Sequence, residues 1–231
     1  MNLQTAKCSH DGCTNKIGLV YSAKYDKYLS YGLCWYHIGP FEKNADRLEL
    51  HDHHKDVPPL FCNTNILQIP NERIKDVLSQ VNATPSLKMN YSYLFHGTTG
   101  AGKSRAAWWI AERFFERNYP MRFEFLSPRK LDSMLIGSFE NGVGAHEKAI
   151  DYLCKVPMLI IDDLGKERIT PRMETDIFAI IDERMAHFRH TIVTTNFNSH
   201  GLIDRFPTKE TATALIRRMR EGMAVIGTGL E

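Results

Sequence analysis

The stretch YLFHGTTGAGKS, residues 93–104, constrains this chain more than any other. It reads as a buried strand, a glycine-rich turn and the first residues of a helix. Gly97, Gly102, Lys103 and Ser104 fit the phosphate-loop pattern G-x-x-x-x-G-K-[ST], with Thr98, Thr99, Gly100 and Ala101 completing the loop. Glycines let the backbone wrap closely round an anion with successive N–H groups pointing inward. The helix start adds unsatisfied donors and a partial positive charge. In that pattern Lys103 reaches the β- and γ-phosphates of a nucleotide and the Ser104 hydroxyl ligates Mg²⁺. The context that the motif needs is present on both sides. Tyr91, Tyr93, Leu94 and Phe95 form a β-prone run upstream. Downstream, Ala107, Ile110, Ala111 and Phe114 recur at i, i+3, i+4 and i+7, the spacing of an amphipathic helix.

A second stretch, VPMLIIDDLG at 156–165, adds the carboxylates. The apolar run Met158 to Ile161 suits a central parallel strand buried on both faces. It ends in Asp162 and Asp163. At the carboxyl edge of a doubly wound sheet these lie near the phosphate loop. Asp162 is the candidate Mg²⁺ holder, directly or through water. Asp163 is the candidate that orients or activates the attacking water.

The remaining elements follow in an α/β order. Ile74, Val77, Leu78 and Val81 have helical spacing, with Asn71 as N-cap. MRFEFLS gives a strand, and Ser127-Pro128 then caps and opens a helix carrying Leu131, Met134 and Leu135. A turn at NGVGAH leads to a helix through Ile150 and Leu153. Thr170-Pro171 opens a helix with Met173, Ile177, Ile180, Ile181 and Met185 on one face. HTIVTTNF is a β-branched strand ending in Asn196, an amide placed to position water or sense a γ-phosphate. The stretch from Leu202 to Arg220 contains another helix, ending ALIRRMREG, and MAVIG supplies a fifth short strand.

The first fifty residues have a different logic. Cys8-x4-Cys13 is followed twenty residues later by Cys34-x2-His37. Two close ligand pairs separated by a loop build a tetrahedral Cys₃His zinc site. So few aliphatic residues accompany Tyr21, Tyr25, Tyr28 and Tyr31 that a structural staple is expected. His10 is a substitute ligand, whereas His51, His53 and His54 read as solvated. Pro58-Pro59 marks a linker over 51–65, which divides a zinc module at 1–50 from a catalytic domain at 66–231. Five cysteines, an odd number, and no apolar leader point to a reduced, cytoplasmic protein. No apolar run reaches the roughly 18–20 residues that span a bilayer. A formal charge of +2 makes any nucleic-acid surface local rather than global.

GTTGAGKS, LIIDDLG, TIVTTN and ALIRRMREG, in that order and spacing, resemble the AAA+ ATPases of the DnaC/DnaI/IstB group, which are helicase loaders and transposition helpers. The resemblance covers residues 66–231. It implies an αβα sandwich with a five-stranded parallel sheet in the order 5-1-4-3-2. It implies Mg²⁺-dependent hydrolysis of ATP to ADP, stimulated by single-stranded DNA or by oligomerisation on ATP. Asn196 becomes the sensor-1 residue, and Arg218, by matching RRMREG, takes the place of the arginine finger. Zinc-bearing N-terminal modules on loaders of this group dock on the replicative helicase. Single-stranded DNA would thread past basic residues such as Arg129, Lys130, Lys166, Arg168 and Arg172. A helicase loader is the first reading. An IstB-type transposition helper shares every ATPase motif, and a zinc-dependent DNA-binding adaptor with a regulatory ATP site is the third.

Overall fold

The computed structural model describes residues 61, 64–83, 91–118, 123–140 and 144–228, together with two strands at 19–22 and 27–30. The chain divides into two units, Met1–Thr64 and Asn65–Glu231. In the first, β1 (Leu19–Ser22) and β2 (Lys27–Ser30) pair antiparallel, with Tyr21 opposite Tyr28 in the register. This hairpin falls in sequence between Cys13 and Cys34. The expected zinc ligands Cys8, Cys13, Cys34 and His37 lie outside the described residues, as do His10 and the His51, His53 and His54 cluster.

The second unit opens with α1 (Glu72–Ala83), β3 (Tyr93–His96), α2 (Lys103–Asn118) and β4 (Phe123–Leu126). Next come α3 (Pro128–Glu140), α4 (Ala145–Lys155), β5 (Met158–Ile161) and α5 (Pro171–Ala186). It closes with β6 (His190–Thr195), α6 (Ser199–Ile203), α7 (Lys209–Gly222) and β7 (Ala224–Gly227). Five strands form one sheet in the order β4-β5-β6-β3-β7. Every neighbouring pair in it is parallel. Counted within this unit the order is 2-3-4-1-5, the expected 5-1-4-3-2 read from the other edge.

Alternation along the strands explains the two helical layers. Leu94, Leu159, Ile161 and Val193 join one apolar cluster with Leu131, Leu153, Ile177, Ile180, Leu215 and Met219 from α3, α4, α5 and α7. On the other face Trp108 of α2 lies flat on Phe125 of β4, ring centroids 3.7 Å apart. All four residues of β5 are buried, as a strand covered on both faces requires.

The helix starts hold side-chain caps that satisfy otherwise orphaned N–H groups. The Ile74 N–H donates to Asn71 Oδ1, the Lys130 N–H to Ser127 Oγ and the Met173 N–H to Thr170 Oγ1. The expected helix ending in ALIRRMREG is α7, and the short α6 precedes it. The two are separated at Phe206, which precedes Pro207, because a residue before proline is driven out of helical backbone. The buried Phe206 ring anchors the break.

Candidate active site

Three loops meet at the carboxyl ends of β3, β5 and β6. The first follows β3. Gly97 and Gly102 have φ of 119° and 94°, backbone that L side chains rarely adopt. A Cβ on Gly102 would also come within 3.1 Å of Ile69 Cγ2. The Gly97 N–H donates to the Thr195 carbonyl at 3.3 Å and ties the loop to β6.

Lys103, the first residue of α2, is only 5 % exposed. Its ammonium donates to the Gly97 carbonyl at 2.9 Å, the Thr98 carbonyl at 2.7 Å and Asn196 Oδ1 at 2.8 Å. An ammonium has three protons, so all are engaged. Burial pulls its pKa down, while Asp163 and Asp162 pull it back up.

The second loop follows β5. Thr194 Oγ1 donates to Asp162 Oδ1 at 2.6 Å and accepts the Asp163 N–H at 2.8 Å. Ser104 makes a second side-chain hydrogen bond to Asp162. Burial raises the Asp162 pKa, and the Thr194 and Ser104 hydrogen bonds work against that rise. Asp163 sits at φ 62°, a left-handed turn uncommon outside glycine, asparagine and aspartate. Its Oδ2 accepts from Lys166 Nζ at 2.8 Å. That bond holds the lysine's pKa above its ordinary value.

The third loop follows β6 and carries Asn196. Here Thr195 Oγ1 donates to the Leu164 carbonyl at 2.7 Å. Arg205 donates to the Gly165 carbonyl at 2.7 Å, with its guanidinium 5.4 Å from the centre of the Phe197 ring. Thr194 and Arg205 were absent from the sequence reading. The available signal was position: Thr194 lies two residues before Asn196, on the same strand face, and a buried hydroxyl needs a partner.

The structure thus brings Lys103, Ser104, Asp162, Asp163 and Asn196 together. Arg218 lies elsewhere. It sits near the end of α7, which feeds β7 at Ala224, opposite Tyr93 at the amino end of β3. The glycine loop begins at the other end of that strand, about 13 Å away at the usual strand rise. Arg218 Nε pairs with Asp182 Oδ1 at 2.7 Å, and Nη1 with Glu221 Oε2 at 3.4 Å. Among the basic candidates, Arg129, Lys130, Lys166 and Arg168 are exposed, whereas Arg172 pairs with Asp132 at 2.8 Å.

The residues present fit a nucleotide with Mg²⁺. A glycine loop and a buried ammonium suit phosphate oxygens, and a hydroxyl bonded to a carboxylate supplies hard oxygen ligands. Among the described residues no group of three or more His, Cys, Asp and Glu side chains could hold a metal ion, and no helix is long and apolar enough to cross a membrane.

Comparison with known proteins agrees with this geometry. The insertion sequence IS1162 putative ATP-binding protein of Pseudomonas fluorescens is 28 % identical over 113 residues, 49 % of this chain and 47 % of that one. The chain spans about half the length of the curated relatives it matches, 56 % and 47 %. The crystal structure of DnaI superposes with a TM-score of 0.55 at 25 % identity, covering 75 % of this chain and 89 % of that one. The crystal structure of the DnaC helicase loader shares the fold, with a TM-score of 0.59 at 21 % identity over 74 % of this chain and 100 % of that one. The fold is that of AAA+ P-loop proteins. Residues 75–229 match the family model of IstB-like ATP binding proteins, and the chain belongs to that family.

Proposed function

We propose that this protein hydrolyses ATP and uses the cycle to load a replicative helicase onto single-stranded DNA. The observation that carries the ATPase reading is the convergence of Lys103, Ser104, Asp162, Asp163 and Asn196 at one sheet edge. ATP would supply the phosphoryl group, and a bound Mg²⁺ would neutralise its charge. The backbone of Gly97–Ser104, with Lys103, binds the phosphates. Ser104 and Asp162 would hold the metal. Asp163 orients the water, and Asn196 fixes the position of the Lys103 ammonium. Catalysis of this kind is mostly positioning and charge stabilisation.

Arg218 serves a neighbouring subunit. From the far edge of the sheet it cannot reach its own glycine loop, so its cation acts across an interface formed on ATP binding. Replacing it with alanine should spare ATP binding and stop hydrolysis. Mixing Arg218→Ala with Lys103→Ala, which keeps its own finger, should restore part of the activity.

The solved DnaC is a helicase loader, while the IS1162 relative belongs to an insertion sequence. Paired Cys8/Cys13 and Cys34/His37 favour the loader, with one zinc per chain stapling a module that docks on the helicase. The test is direct. Full-length protein is combined with the host's replicative helicase and with circular single-stranded DNA, and DNA-bound helicase is measured with and without ATP. ATP-dependent loading that Cys34→Ser abolishes, with nucleotide binding intact, supports the reading. Failure to load, with stimulation of the cognate transposase instead, would assign the chain to transposition. DNA binding without turnover would leave the adaptor reading.

A further inference from the structure

We propose that Phe188 is the apolar anchor of the contact between two copies of this chain, on the edge that presents Arg218. The inference rests on the reading of Arg218 as acting across a subunit interface. The observation is a turn with the wrong residue in it. At the end of α5 the Arg189 N–H donates to the Arg184 carbonyl at 2.9 Å, and the Phe188 N–H to the Met185 carbonyl at 3.2 Å. These are the two bonds of a Schellman helix end, whose left-handed position is usually glycine. Here it is Phe188, with φ 52°. A bulky residue is strained in that backbone.

The side chain gives nothing back inside its own subunit, being 84 % exposed. A lone exposed apolar residue is ordinary, and so is an occasional left-handed residue. A phenylalanine that is both strained and displayed is a different matter, since glycine would remove both penalties at once.

The surrounding structure holds the strain in place. Buried Arg184 donates to the carbonyls of Leu153, Cys154, Val156 and His190. Arg189 donates to the Cys154 carbonyl as well. The turn is therefore bolted on both sides to the end of α4 and the start of β6, and Phe188 cannot relax without breaking these bonds. Strain held in this way clusters where it serves a function.

Position selects the partner. Phe188 lies two residues before β6 begins, at the amino edge of the sheet, where His190 pairs with Met158. The last turns of α5 and α7 pack at that edge, through Asp182 with Arg218 and Met185 against Gly222. A neighbour whose phosphate loop receives Arg218 must approach this edge. An exposed aromatic beside polar pairs, Glu183 with His187 and Asp182 with Arg218, has the form of an interface anchor with a polar rim.

The experiment compares wild type, Phe188→Gly, Phe188→Trp and Arg218→Ala by sedimentation with a non-hydrolysable ATP analogue, by ATP turnover and by thermal melting. Phe188→Gly should raise Tm by about 2–4 °C, because the strain is relieved. It should bind the analogue normally yet assemble about tenfold or more weakly. Turnover should fall accordingly at low protein concentration and recover at high concentration. Phe188→Trp should assemble like wild type. If Phe188→Gly assembles as well as wild type while Arg218→Ala is inactive, the anchor is refuted and the arginine reading stands. If wild type stays monomeric with the analogue and Arg218→Ala turns over fully, the arginine reading fails and the anchor with it.

Discussion

Lys103 Nζ donates to Asn196 Oδ1 at 2.8 Å, joining the first residue after the glycine loop to the residue that follows β6. The ammonium is buried, so each of its three partners matters. Asn196→Ala removes one of them and leaves a proton of a buried cation without an acceptor. Such a loss costs about 1–3 kcal/mol. The expected outcome is a Tm lower by several degrees and hydrolysis reduced far more than ATP affinity. Calorimetric melting beside single-turnover assays measures both. Wild-type hydrolysis in Asn196→Ala would remove the amide from the site.

Thr194 connects the two carboxylates, giving its proton to Asp162 and taking one from the Asp163 backbone. Valine has the same shape and neither bond. Thr194→Val should raise the already elevated Asp162 pKa, because one of the hydrogen bonds opposing burial disappears. Mg²⁺ must then compete with a proton over a wider range. The Mg²⁺ concentration for half-maximal hydrolysis should increase, most steeply as pH falls. Thr194→Ser should behave like wild type. An unchanged Mg²⁺ requirement in the valine variant would show that Asp162 needs no help from this hydroxyl.

Much of the frame was legible because local signals agreed with one another. Asn71, Ser127 and Thr170 each cap a helix, and Ala212, Leu215, Ile216 and Met219 form the buried side of α7. Gly97 through Gly102 form a turn between β3 and α2, where their spacing placed one. What escaped was polar chemistry inside apolar periodicity. Thr194 looked like one more β-branched strand residue. Arg184 was passed over between Ile181 and Met185, although its spacing from both Ile180 and Ile181 put it on the buried face. The pairing of Arg218 with Asp182 joins two helices distant in sequence, and no single-helix pattern contains it.

Arg184 is fully buried with no carboxylate partner among the described contacts. Its guanidinium instead serves carbonyls at the end of α4 and the start of β6. Burial, with the Arg189 cation second, lowers its pKa to about 9. Arg184→Met keeps much of the volume but strands these acceptors without a donor. The expected loss is about 1–3 kcal/mol for each buried acceptor left unsatisfied. A urea titration would show the midpoint fall. A loss under about 1 kcal/mol would mean that water replaces the guanidinium at no great penalty.

His190 sets a pH dependence of known sign. Its Nδ1 accepts the Tyr91 N–H at 3.3 Å, so this nitrogen must be unprotonated. The ring packs edge-on against Tyr91 and Phe114, with centroids 5.3 and 5.2 Å away. Burial lowers its pKa, and the Arg184 cation lowers it further. The unfolded chain, by contrast, binds a proton near the ordinary value of about 6.5. Below that pH the unfolded state carries more protons than the folded one, and stability falls as acid is added. The contribution is therefore full above about 6.5 and is lost as pH drops through the depressed folded value. Asp162 acts with the opposite sign. Its pKa is raised, so its contribution is present in acid and is lost as pH rises through that raised value. The comparison is between wild type and His190→Asn, which keeps an acceptor but cannot take the proton. Urea midpoints between pH 8 and pH 5 should decline in wild type and decline less in His190→Asn. Parallel curves would mean that the imidazole is protonated in the folded state, and that the Tyr91 N–H has found another acceptor.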